Sequence, residues 1–142
     1  MIEKFQKLKQ GRYIYKESEK LGGGSYGTVY KGLDISKCKF VAIKISNLAP
    51  EYYGGNDEDQ PENENLRVFT DEVNALKRVK EINSNFLLAA WDWFKDDAEQ
   101  KGYIITEFCD GKCLGVKKHE ISDEQTALKW IYLVFLGRLD LY

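Results

Sequence analysis

The stretch Leu21-Gly22-Gly23-Gly24-Ser25-Tyr26-Gly27-Thr28-Val29-Tyr30-Lys31 decides how this chain is read. Gly22, Gly24 and Gly27 stand in a G-x-G-x-x-G pattern, with Val29 two residues on. Without a Cβ, backbone at such positions can pass close to phosphate oxygens and aim N–H groups at them. A dinucleotide-binding fold uses the same spacing, but it follows the glycines with a helix whose N-terminus faces the pyrophosphate. Here Thr28-Val29-Tyr30 comes next, then the polar turn Asp34-Ile35-Ser36-Lys37, then Phe40-Val41-Ala42-Ile43-Lys44-Ile45. Both runs are rich in β-branched and aromatic residues and read as strands. The glycines therefore turn a hairpin, and the dinucleotide reading is set aside.

The strand pattern continues on both sides. Arg12 to Leu21 reads as a first strand, Thr28 to Leu33 as a second and Cys38 to Ser46 as a third. In the third, Val41, Ile43 and Ile45 alternate with Ala42 and Lys44, as a sheet with two unlike faces requires. Residues 1–11 form a short basic lead-in with room for one helical turn. Residues 47–65 hold Pro50, Gly54-Gly55, Pro61 and the acidic run Asp57-Glu58-Asp59, and predict a mobile surface loop. That run lacks the ligand spacing and glycine of a calcium loop, so no metal site is assigned to it. Leu66, Phe69, Val73, Leu76, Val79 and Ile82 recur at three- and four-residue spacing and predict an amphipathic helix, with Thr70-Asp71 as an alternative start. Phe86 to Phe94 and Gly102 to Cys109 read as fourth and fifth strands. A short segment, 113–119, could be helical. Ser122-Asp123-Glu124-Gln125 then resembles the cap of a helix carrying Ala127, Trp130, Ile131, Val134, Phe135 and Leu139.

At 142 residues, with 43% hydrophobic and 13% aromatic content, the chain can bury one core. A net charge of −2 offers nothing to nucleic acid or to an anionic membrane surface. Cys38, Cys109 and Cys113 include no C-x-x-C pair and read as reduced thiols. A single histidine, His119, excludes a multi-histidine metal site. The charged N-terminus has no apolar core of a signal peptide, and the apolar run Trp130 to Leu136 is too short to span a bilayer. These features predict a cytoplasmic or nuclear protein.

Leu21 to Val29 followed by Val41-Ala42-Ile43-Lys44 resembles the opening of a eukaryotic protein kinase domain. The resemblance implies an α+β fold: a kinase-like small lobe with a five-stranded antiparallel sheet and one inserted helix, then one or two helices of an incomplete large lobe. It divides the chain into a lead-in (1–11), small lobe and hinge (12–109) and the start of the large lobe (110–142). It implies ATP as ligand and a protein hydroxyl as acceptor of the γ-phosphate. By the same resemblance Lys44 reaches the α- and β-phosphates, and Glu72, in Asp71-Glu72-Val73-Asn74-Ala75-Leu76, orients it. Asp71 is the rival, but the family's leucine falls four positions after the glutamate, which is Leu76 after Glu72. Backbone of Gly22, Gly23, Gly24, Ser25, Tyr26 and Gly27 would cover the phosphates. Leu21, Val29 and Ala42 would wall the adenine. Tyr103 to Cys109 resembles the strand entering the hinge, with Thr106 as gatekeeper, Glu107 and Cys109 offering backbone groups to adenine, and the Cys109 thiol inert.

Other parts of the family pattern are missing from these residues. The sequence has no H-R-D-x-x-x-x-N loop and no D-F-G, so magnesium ligands are expected only in the missing lobe. The last residues, Gly137-Arg138-Leu139-Asp140-Leu141-Tyr142, depart from the family's G-L-x-Y-L-H approach to the catalytic loop. The resemblance thus covers residues 12–140, about half of such a domain, and predicts a truncated kinase that is inactive alone and binds ATP weakly. The helix with Trp130, Ile131, Val134 and Phe135 is expected to leave an apolar stripe for a protein partner or for self-association. Two classes of function follow. One is the ATP-binding portion of an active kinase, serine/threonine-directed by the look of Ile105 to Gly111. The other is a non-catalytic, pseudokinase-like module that binds nucleotide or a partner.

Overall fold

A computed structural model describes residues 3–50 and 63–111, with Leu128, Tyr132 and Val134 as isolated helical positions. Among these residues the chain forms strands β1 (Gln6–Leu8), β2 (Tyr13–Gly24), β3 (Gly27–Asp34) and β4 (Lys39–Asn47), then helix α1 (Glu64–Ile82), then β5 (Ala90–Asp96) and β6 (Lys101–Glu107). The strands pair antiparallel throughout, in the order β1-β2-β3-β4-β6-β5. Among the residues that form complete elements this is one antiparallel sheet with one inserted α-helix, as the resemblance implies, and with one strand more than the five expected.

The additional strand comes from the lead-in. Gln6, Lys7 and Leu8 pair with Tyr15, Ile14 and Tyr13, and Leu8 packs against the core around the fully buried Tyr13. Lys9–Gly11 supplies the single helical turn, a 3-10 turn ending on Gly11 at φ 86°. Leu8 is the strand's one anchoring apolar residue, and lysines on both sides of it hide the alternation.

Alternation along β4 places two cores on the two faces of the sheet. Val41 and Ile43 are fully buried on one face with Tyr13, Tyr103 and Ile105. On the other face Ile104 and Ala90 pack with Phe69 and Val73 of α1 and with Leu48. Phe69 and Val73 are one helical turn apart, so α1 presents a single buried stripe, flanked by Leu66 and Leu76. Gly102 is what lets α1 lie so close: a Cβ there would stand 2.5 Å from the Phe69 ring.

Asn63 caps α1, its side chain accepting from Leu66 N–H at 3.1 Å and donating to Leu48 O at 2.8 Å. The helix therefore starts at Glu64, ahead of the Thr70-Asp71 alternative, and Thr70 is an interior residue whose hydroxyl donates to Leu66 O at 2.8 Å. Asn83 ends it in the left-handed region at φ 53°. The fourth strand expected from Phe86 begins at Ala90 instead, and Phe86 and Leu88 are exposed. The acidic run Asp57-Glu58-Asp59, the segment 113–119 and most of the stripe-bearing C-terminal helix lie outside the described residues; of the stripe, Val134 is described and exposed.

Candidate functional site

β2 and β3 form the glycine hairpin. Gly22 pairs with Val29, Gly23 with Thr28 and Gly24 with Gly27, which leaves Ser25 and Tyr26 at the exposed tip. The glycines do different things. Gly27 sits at φ 131°, and a Cβ there would come within 2.5 Å of the Ile45 carbonyl oxygen, so the fold itself requires glycine. Gly22 and Gly24 have open space where a Cβ would go, and neither needs a left-handed backbone. Packing among the described residues gives no reason for glycine at those two positions.

Register then assembles the rest. Val29 on β3 pairs with Lys44 on β4, Lys31 with Ala42, and Ala42 with Thr106 on β6. Directly paired residues share a face, so Val29, Ala42, Lys44 and Thr106 lie together beside the glycine hairpin. This is also the face covered by α1, because Lys44 pairs with Ile104, which packs on the helix. α1 delivers Glu72 to Lys44: the ammonium donates to Oε1 at 2.7 Å and to Oε2 at 2.6 Å. Both side chains are about three-quarters and two-thirds shielded, with 25% and 32% of their surface exposed, so solvent screens the pair less than a surface ion pair. An ammonium has three donors, and Glu72 takes two of them. Asp71, the rival carboxylate, is exposed, and Leu76 packs inward one turn after Glu72.

Leu21, at the head of the loop, is 49% exposed. Glu107 ends β6, and Phe108, Cys109 and Asp110 follow as irregular backbone. The Cys109 thiol is exposed, and its pKa is raised by partial burial and then by the negative charges of Glu107 and Asp110. A raised pKa disfavours the thiolate, the nucleophilic form.

Two features escaped sequence reading. Ser46, buried two residues beyond Lys44 on the same face, donates its hydroxyl to the Tyr26 carbonyl at 3.1 Å and so ties the loop tip to β4. At the other end of the face the Lys31 ammonium lies over the rings of both Phe40 and Phe108. Period-two spacing from Lys44 could have flagged Ser46; the Lys31 contact depends on the strand register. A cavity of about 390 Å³ lined by Tyr15, Thr28, Tyr30 and Ile45, with Gly24, Ser25 and Gly27 of the hairpin at its edge, opens on the opposite face of the sheet from Lys44 and shares only the glycine loop with this site.

The protein kinase domain model matches residues 15–138 of this chain. The chain belongs to the protein kinase domain family. The serine/threonine-protein kinase KIC1 of Saccharomyces cerevisiae is 32% identical over 101 residues, covering 71% of this chain and 8% of its own length. The RAF proto-oncogene serine/threonine-protein kinase of Xenopus laevis is 26% identical over 121 residues, 85% of this chain and 16% of that protein. The serine/threonine-protein kinase ppk11 of Schizosaccharomyces pombe is 28% identical over 108 residues, 75% of this chain and 30% of its own. The chain therefore spans less than a third of the length of each of these relatives. No described helix is long and apolar enough to cross a membrane.

Proposed function

We propose that these residues are the ATP-binding portion of a serine/threonine protein kinase. The observation that carries this reading is the paired contact of Glu72 with Lys44 on the face shared with Val29, Ala42 and Thr106. A rigid strand holds a cation that a carboxylate orients, next to a glycine hairpin whose Gly22 and Gly24 leave room for phosphate. In this reading Lys44 meets the α- and β-phosphates and the loop backbone from Gly22 to Gly27 covers them. Leu21, Val29 and Ala42 contact the adenine ring, with Thr106 at the back of the pocket. The backbone of Glu107 and Cys109 bonds its edge.

Magnesium, when bound with ATP, would neutralise charge on the phosphoryl group being moved. The described residues hold no cluster of three or more acids, histidines or cysteines suited to it. Within the 142 residues no H-R-D or D-F-G motif supplies a proton acceptor or magnesium aspartate, so we assign them nucleotide binding and positioning, with phosphotransfer requiring further residues. The same observation supports the second reading, a non-catalytic module that uses the bound nucleotide to stabilise a partner-binding shape. Titration calorimetry of ATP against the 142-residue chain and its Lys44→Met variant tests nucleotide binding. Binding that Lys44→Met abolishes supports the site. Binding indifferent to that substitution, or no binding to the wild-type chain, would falsify it.

A further inference from the structure

We propose that Lys31 is a positioning residue for adenine recognition, clamping the hinge ring of Phe108 onto Phe40 and so fixing the backbone of Glu107 and Cys109. The proposal rests on the nucleotide-binding reading above and adds to it the element that sets the hinge in place. The Lys31 ammonium lies 4.4 Å from the Phe40 ring centroid and 4.8 Å from that of Phe108. The two rings meet edge to face, 6.3 Å apart at 61°. A cation at such distances is drawn to the negative face of each ring, and the edge-to-face pair adds its own quadrupole attraction.

Position gives the contact its consequence. The β4–β6 ladder ends at the pair Val41–Glu107, so Phe108 and Cys109 lie past the last cross-strand partner. Backbone there has no sheet to hold it. Phe108 is nevertheless tied back through its ring to β3, by Lys31, and to the start of β4, by Phe40. Lys31 is also in register with Ala42, and Ala42 with Thr106, so the clamp spans the row of residues that would wall the adenine. Lys44 pairs with Val29, two residues along β3 from Lys31, and keeps its own partner in Glu72. The two lysines divide the labour: Lys44 serves the phosphate end and Lys31 the base end.

Because Lys31 acts on the base end alone, its removal separates ATP from inorganic triphosphate, which has no base. The test uses the full 142-residue chain and its Lys31→Leu, Lys31→Arg and Phe108→Leu variants, each first shown to unfold cooperatively. Dissociation constants for ATP and for inorganic triphosphate are measured alongside amide hydrogen exchange at residues 107–110. Lys31→Leu is expected to weaken ATP about three- to fivefold, the scale of an exposed cation–π contact, while changing triphosphate affinity by less than about twofold. Exchange at 107–110 should rise in Lys31→Leu and Phe108→Leu and return to the wild-type rate in Lys31→Arg. Unchanged exchange in Lys31→Leu, or equal weakening of ATP and triphosphate, overturns the clamp while leaving the nucleotide site intact. A wild-type chain that binds neither ligand overturns the nucleotide reading and the clamp's role with it.

Discussion

Glu72 grips the Lys44 ammonium with both carboxylate oxygens, and it does so across the boundary between helix and sheet. The contact makes the position of α1 part of the geometry at the strand lysine. Lys44→Met should reduce ATP affinity at least tenfold, and Glu72→Gln, which keeps the shape but loses the charge, about three- to tenfold. Calorimetry on both variants checks the order; a Glu72→Gln loss as large as that of Lys44→Met would mean Glu72 contacts the ligand itself.

Gly102 controls the same contact from a distance. Gly102→Ala puts a methyl group where the Phe69 ring packs, so the ring, or α1 with it, must shift. The substitution should destabilise the fold by about 1–3 kcal/mol in denaturant titration, the usual scale of overpacking. It should also weaken ATP binding, although Gly102 is no part of the candidate pocket.

The glycines of the hairpin should divide into two groups under substitution. Gly27→Ala places a Cβ against the Ile45 carbonyl at a positive φ, and the expected loss is about 2–4 kcal/mol in unfolding free energy. Gly22→Ala and Gly24→Ala meet no neighbouring atom, so stability should stay within about 0.5 kcal/mol of wild type. Their effect should appear in nucleotide affinity instead.

Stability should fall at both ends of the pH scale for reasons that can be assigned. Burial acts to raise the pKa of Asp92, but the hydrogen bonds from Lys9 at 2.6 Å and Tyr13 at 2.8 Å outweigh it and hold the carboxyl below its ordinary value. Burial of Asp34 is likewise outweighed, by Ser36 and Arg12. A carboxylate depressed in the folded state stabilises it above the unfolded pKa, about 3.9, and loses that contribution as pH falls through the native value. Desolvation raises the phenols: Tyr15 is pushed up to about 12, and Tyr13 is raised further. Their contribution is complete below about pH 10, the ordinary tyrosine value, and is lost as pH climbs through the native ones. Unfolding midpoints from pH 2 to 12 check both limbs, and Asp92→Asn should flatten the acid one.

The sheet was legible because its strands carry period-two apolar alternation, and β4 shows it most plainly in Val41 and Ile43. The pairing of Lys44 with Glu72 was legible through the motifs around each residue. What escaped was information held in pairing. Gln6–Leu8 has too few apolar residues to announce a strand and acquires its identity from β2. The start of β5 shifted from Phe86 to Ala90 because hydrophobicity marked residues whose side chains end up exposed. Ser46 and Lys31 look ordinary in sequence; their partners, the Tyr26 carbonyl and the rings of Phe40 and Phe108, are chosen by strand register.

The short strand β1 has one more consequence. A sheet edge with unpaired N–H and C=O groups is a template for a strand of another chain, and β2 would be such an edge without it. β1 occupies Tyr13–Tyr15, the regular part of that edge, and brings the exposed Gln6 and Lys7 to the rim. Beyond Tyr15 the register breaks, and Lys16, Glu17, Ser18 and Glu19 bulge out of alignment with β3, with Glu3 bonding both the N–H and the hydroxyl of Ser18. The first half of the strand that leads into the glycine hairpin, Tyr13 to Glu19, is thereby protected against strand addition, first by pairing and then by irregular, charged backbone.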